Sequence, residues 1–133
     1  MKKILLDTSA YSQLLRGSEE VANALSHADL VYLSVFVLGE LYASFKGGSK
    51  EAANRKLLER FHKQPTVQIL PATKETAEVF GEIKNTLKRA GTPLPLNDVW
   101  IAAHAVETGS IVATFDSHFR QIPGLRLWEH MPR

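Results

Sequence analysis

Apolar positions along the 133-residue chain change their period repeatedly, and each change marks an element. Ile4-Leu5-Leu6, after Lys3, is an unbroken apolar run without helical spacing, which predicts a buried strand. Thr8 and Ser9 offer N-cap chemistry for a short helix through Tyr11, Leu14 and Leu15, stopped by Gly17. Ser18 is a second cap, with Glu19 and Glu20 in the first turn and Val21, Ala24 and Leu25 at helical spacing. Residues 30–35 predict a second strand. From Phe36 a helix carries Val37, Leu38, Leu41, Tyr42 and Phe45 on one stripe and ends at Gly47-Gly48.

The second half repeats the alternation. Ser49 opens a helix that runs to about Lys63 and stops before Pro65, and residues 67–70 predict a third strand. Thr73 caps the longest helix, expected to turn Ala77, Phe80, Ile83, Leu87 and Ala90 inward before Gly91. After a loop over 91–95, Asn97 is the expected cap of a helix from Asp98 to about Glu107, closed by Gly109. Residues 111–114 read as a fourth strand and 125–128 as a candidate fifth. Strands alternating with helices predict an α/β three-layer sandwich with a short, mainly parallel central sheet, in a single domain over 1–133.

That arrangement gives four acids a common address. Asp7 and Asp116 each follow the end of a predicted strand, and open parallel sheets form their sites beyond the carboxyl ends of strands. Glu40 lies early in the helix after the second strand, and Asp98 starts a helix that returns to the fourth, so both tend towards the same rim. The helix after Asp98 is apolar on nearly every side (Val99, Trp100, Ile101, Ala102, Ala103, Ala105, Val106), which predicts that it is buried. Two like charges ~4 Å apart repel by about 4 kcal/mol at an effective dielectric of ~20. Asp98 has no Lys or Arg within a turn or two, and Lys3 is about 13 Å back from Asp7 along an extended strand. A divalent cation is therefore expected among the acids. All-oxygen donors favour Mg²⁺, with Mn²⁺ as a substitute, over zinc. Taken singly, each acid also fits a cap, a turn or a solvated helix face.

Composition narrows the setting. The absence of cysteine excludes disulfides and thiolate zinc sites. Only three apolar residues separate Met1-Lys2-Lys3 from Asp7, too few for an export signal, and no apolar run approaches the ~20 residues of a membrane span. Cytoplasmic residence without membrane contact is the expectation. With the four acids set aside, 16 Lys and Arg face 10 remaining Asp and Glu, a surplus that favours a polyanionic partner. The five histidines show no metal-ligand spacing. His104 is expected to pack within its helix and His118 to lie at the surface, near enough to Asp116 to contact a phosphate.

Four segments carry a family resemblance: Leu5-Leu6-Asp7-Thr8-Ser9, Leu38-Gly39-Glu40-Leu41, residues 97–103 from Asn97-Asp98 onward, and Thr114-Phe115-Asp116-Ser117-His118-Phe119. With Ile122-Pro123-Gly124-Leu125, they resemble the PIN-domain nucleases, and more closely the VapC toxins of toxin–antitoxin pairs. The resemblance implies a Mg²⁺-dependent endoribonuclease that hydrolyses RNA phosphodiester bonds by metal-activated water. A cognate antitoxin would mask the site, with a homodimer and a toxin–antitoxin hetero-oligomer as assemblies. Asp7 and Asp98 would be direct metal ligands, Glu40 and Asp116 would act through water, and Thr8, Ser9 and Thr114 would steady the carboxylates or a phosphate. Phe115 departs from the family, whose members often carry Asn there.

Other classes fit less well. A phosphoacceptor receiver needs a Lys at the end of a late strand, where Arg126-Leu127-Trp128 stands, and a paired-aspartate phosphatase needs an acid where Ser9 stands. A PIN-like module that binds nucleic acid or protein without catalysis is the remaining alternative, and it would gain nothing from four mutually repelling acids.

Overall fold

A computed structural model describes residues 1–128. The order is β1 (Lys3–Leu6), α1 (Thr8–Leu15), α2 (Glu19–Ser26), β2 (Leu30–Ser34), α3 (Val35–Phe45), α4 (Glu51–His62), β3 (Val67–Leu70), α5 (Lys74–Ala90), α6 (Leu96–Thr108) and β4 (Ile111–Ala113). A 3-10 turn, Ser117–Gln121, follows β4. The sheet order is β3-β2-β1-β4 and every pairing is parallel. Successive side chains of a strand point to opposite faces, and Ile4, Leu5 and Leu6 are all buried, so helices cover both faces of the sheet. This is the α/β sandwich anticipated from the alternating pattern.

Register aligns the functional ends. Leu6 lies beside Leu33 on one side and Ala113 on the other. Pairing runs one residue further, with the Asp7 amide donating to the Ala113 carbonyl at 3.2 Å. Asp7 and the residues after β4 therefore leave the sheet side by side. Lys3 marks the opposite end, its Nζ bonded to the Thr108 carbonyl at the close of α6 (3.1 Å). Gly109 terminates α6 in the left-handed region (φ 70°), a conformation that a Cβ penalises.

Several boundaries differ from expectation. Asp7 itself, not Thr8 or Ser9, is the N-cap of α1: its backbone is extended and its side chain accepts from the Ala10 amide. Ser34 caps α3, so the helix starts one residue early and β2 ends sooner. α4 starts after Lys50, with no side-chain cap hydrogen bond, because the Glu51 carboxylate reaches back to the Gly47 amide instead of Ser49 capping the helix. α6 starts at Leu96 behind Pro95, whose fixed φ suits the entry, so Asn97 is already helical. Along α5 the inward stripe is Thr76, Phe80, Ile83 and Leu87, while Ala77 and Ala90 are exposed. Thr76 turns in because it completes a capping box with Thr73 and donates to Glu107 of α6 (2.8 Å). The candidate fifth strand reduces to a single parallel bridge between Val112 and Leu127. Among the described residues no helix is long and apolar enough to cross a membrane.

Candidate active site

The four acids leave four different elements at the carboxyl end of the sheet: Asp7 after β1, Glu40 in the second turn of α3, Asp98 in the first turn of α6, and Asp116 after β4. Asp7 is the most enclosed, 4% exposed. Its Oδ1 accepts the Ala10 amide and the Ser9 hydroxyl, both at 2.8 Å. Oδ2 accepts the Thr114 hydroxyl. Thr114 in turn accepts the Asp116 amide (2.9 Å), and Ser9 accepts the Phe115 amide (3.0 Å). One small network thus fixes the ends of β1 and β4 together. Burial pushes the Asp7 carboxyl up; donors from Thr114, Ala10 and Ser9 pull against it, and the nearby Asp116 charge raises it further.

Glu40 is half-buried and accepts the Thr8 hydroxyl at 2.5 Å. The three hydroxyls proposed from sequence, Thr8, Ser9 and Thr114, therefore each donate to a carboxylate. Phe115 uses its amide on Ser9 and turns its ring edge-on to Trp128 at 5.5 Å.

Asp98 and Asp116 share His118 as a neighbour. Nδ1 of His118 lies 3.2 Å from Asp116 Oδ1 and 3.5 Å from Asp98 Oδ2. One donor atom from each of the three residues lies within 4.8 Å of the others. Burial raises the Asp98 carboxyl, the charges of Asp116 and Glu40 raise it further, and His118 opposes them. Among the described residues the basic side chain within 4.0 Å of Asp98 and of Asp116 is His118 alone. Asp7 and Glu40 stand outside this close trio but within electrostatic reach of it. His118 was expected at the surface, and half its side chain is indeed exposed. Its link to Asp98 was not visible because the two lie twenty positions apart on elements that meet only in the fold.

The donor set suits a hard or borderline divalent ion: carboxylates from Asp7, Asp98, Asp116 and Glu40, with one imidazole. Like charges crowded onto a partly buried rim are electrostatically costly without a cation. Residues 4–125 match the PIN domain family. The chain belongs to the PIN-domain family. This PIN domain is 27% identical over 131 residues to "Ribonuclease VapC1" of Haemophilus influenzae (strain R2866), covering 94% of this chain and 95% of the relative. It is 28% identical over 131 residues to the "tRNA(fMet)-specific endonuclease VapC" of Salmonella typhimurium, covering 96% and 97%. Its fold is similar to the crystal structure of DNA-bound VapBC from Salmonella typhimurium, with a TM-score of 0.85, 27% identity, and coverage of 96% of this chain and 98% of that one.

Around the rim, the PIN domain packs aromatic rings. Trp100 of α6 is stacked between Phe80 (3.8 Å) and Phe36 (4.9 Å), with interplanar angles of 18° and 17°. Both faces of the Trp100 ring are covered, so it packs the layer rather than offering a platform. Lys56, Arg60, Lys63, Lys84 and Lys88 are exposed, as the helical charge pattern anticipated.

Proposed function

We propose that this PIN domain is a divalent-cation-dependent endoribonuclease and the toxin of a toxin–antitoxin pair. The observation that carries the reading is the convergence of Asp7, Glu40, Asp98 and Asp116 on one rim, where the His118 imidazole lies beside Asp98 and Asp116. The names of its relatives support RNA as substrate and an antitoxin as partner. Cytoplasmic residence and a homodimer, alone and within a toxin–antitoxin assembly, belong to the same reading. The groove between α1 and α4, lined by Tyr11, Leu14, Leu57 and Phe61, is the apolar surface offered to an antitoxin helix.

Mg²⁺, with Mn²⁺ as a substitute, would supply charge neutralisation at the phosphate and acidify a water. Asp98 and Asp116 are the carboxylates we place directly at the ion, because their oxygens have ligand spacing with His118. For Asp116 this departs from the water-mediated role that the resemblance implies. Asp7, locked by Ser9, Thr114 and Ala10, flanks them as the third direct ligand. Glu40, oriented by Thr8, orients the attacking water and takes its proton. The water oxygen bonds to phosphorus, the bond from phosphorus to the 3′-oxygen breaks, and that oxygen takes up a proton. The products are a 5′-phosphate and a 3′-hydroxyl.

Sequencing RNA ends after brief induction of wild type and Asp7→Ala tests the reading. New 5′-phosphate ends are expected in wild type only. Identical end profiles would sink it, and 2′,3′-cyclic phosphate ends would replace the mechanism with attack by the substrate's own 2′-hydroxyl.

A further inference from the structure

We infer that His118 is a direct ligand of the divalent cation through Nδ1, so that the site is a mixed nitrogen–oxygen centre with Asp98 and Asp116. The inference rests on the reading of the acidic rim as a cation site, and deepens it.

Spacing is the first support. Adjacent ligands of an octahedral ion with bonds of ~2.1 Å stand about 3 Å apart. Nδ1 is 3.2 Å from Asp116 Oδ1 and 3.5 Å from Asp98 Oδ2, and one donor atom from each residue falls within 4.8 Å of the others. A charge-assisted hydrogen bond from imidazolium to carboxylate would close to about 2.7–2.9 Å. Both contacts are longer than that and leave room for an ion between the donors.

Backbone geometry is the second. Asp116 caps the 3-10 turn by accepting the His118 amide on Oδ1 at 2.9 Å. That bond fixes His118 relative to Asp116 whatever charge the imidazole carries. The next residue, Phe119, is buried at 1% exposure and anchors the turn, while Thr114 ties Asp116 to Asp7. The backbone that carries the ring is thus fixed from two directions, and the half-exposed ring lies beside Asp98.

An imidazole donor changes ion preference. Mg²⁺ favours oxygen, whereas affinity for nitrogen-containing sites rises from Mn²⁺ along the first transition row. The site should therefore prefer Mn²⁺ to Mg²⁺ more strongly than four carboxylates would.

The test is pulsed EPR of Mn²⁺ bound to the full chain, with titrations of Mn²⁺ and Mg²⁺ into wild type, His118→Ala, His118→Gln and Asp98→Asn. Thermal melts without ions check folding. Wild type is expected to show nitrogen modulation from a bound imidazole, which changes on ¹⁵N-histidine labelling and vanishes in both His118 variants. Mn²⁺ affinity should fall on the order of tenfold in His118→Ala, with Mg²⁺ affinity moving less. If Mn²⁺ binds and Asp98→Asn weakens it, but wild type shows no nitrogen coupling, the ligand assignment is overturned and the nuclease reading stands. Coupling that persists in His118→Ala overturns it too, by pointing to another histidine. Absence of any divalent binding would overturn both readings.

Discussion

The Thr8 hydroxyl donates to Glu40 Oε1 across 2.5 Å, joining the first turn of α1 to the second turn of α3. Without that bond the carboxylate is free to leave the rim. A hydrogen bond to a charged group contributes about 1.5–3 kcal/mol, and roughly 1.4 kcal/mol is tenfold in rate. Thr8→Val should lower kcat on RNA about tenfold or more with little change in KM, while Thr8→Ser keeps most of the rate. Equal rates for Val and wild type would remove Glu40 positioning from the account.

Asp98 is held above its ordinary carboxyl range by burial, then by Asp116 and Glu40. A group raised in the folded state contributes stability below its unfolded pKa and loses it as pH rises through the folded value. At pH 7 without divalent ions, Asp98→Asn should therefore melt a few degrees higher than wild type. With ion present the order should reverse: at 100-fold over Kd, binding stabilises wild type by about 2.7 kcal/mol, a gain that the variant forfeits. Calorimetry with EDTA and with Mn²⁺ measures both halves, and a variant less stable in EDTA contradicts the crowding argument.

His104 offers a separate pH signal. Its Nε2 donates to the Pro71 carbonyl (3.1 Å), so Nδ1 accepts the Ser34 hydroxyl (2.9 Å), and the ring is buried as a neutral base. Burial lowers its pKa. The stability tied to this neutral ring is complete above the unfolded pKa of ~6.5 and is lost as pH falls below it. Urea midpoints should drop between pH 7.5 and 5.5 more steeply in wild type than in His104→Gln. Parallel slopes would show that other groups carry the acid sensitivity.

Tyr11 is buried at 1% exposure, and its hydroxyl has no hydrogen-bond partner among the described residues. The same burial pushes its pKa up to about 12. Removing an unpaired buried hydroxyl relieves its desolvation, so Tyr11→Phe should gain about 1 kcal/mol in urea unfolding. The edge-on contact with Phe61 at 5.5 Å survives the change. A loss of similar size would reveal a hydroxyl partner, such as an internal water.

Much of this molecule was legible because periodicity and burial are the same quantity read twice. Ile4-Leu5-Leu6 could only be a strand covered on both faces, and the apolar girth of α6 announced its burial. What failed was local competition. Asp7, Thr8 and Ser9 are all cap-competent, and the extended backbone of Asp7 (φ −84°, ψ 178°) decides among them. The candidate strand over 125–128 shrank to one bridge at Leu127 because pairing there depends on Val112 and not on its own neighbours. His118 escaped for a related reason: a 3-10 turn has no amphipathic signature, and the residue's setting is supplied by Asp98 on another element.

The pairing of β1 with β4 also bears on when the protein can become active during its synthesis. β1 is made first, yet one of its two neighbours in the sheet begins at Ile111, and Asp116 and His118 lie further on. A nascent chain that has not yet reached Ile111 has one edge of β1 uncovered, no Thr114 bond to Asp7, and the donors of Asp116 and His118 missing from the rim. Such a chain has no cutting centre to turn against the RNA on which it is being made.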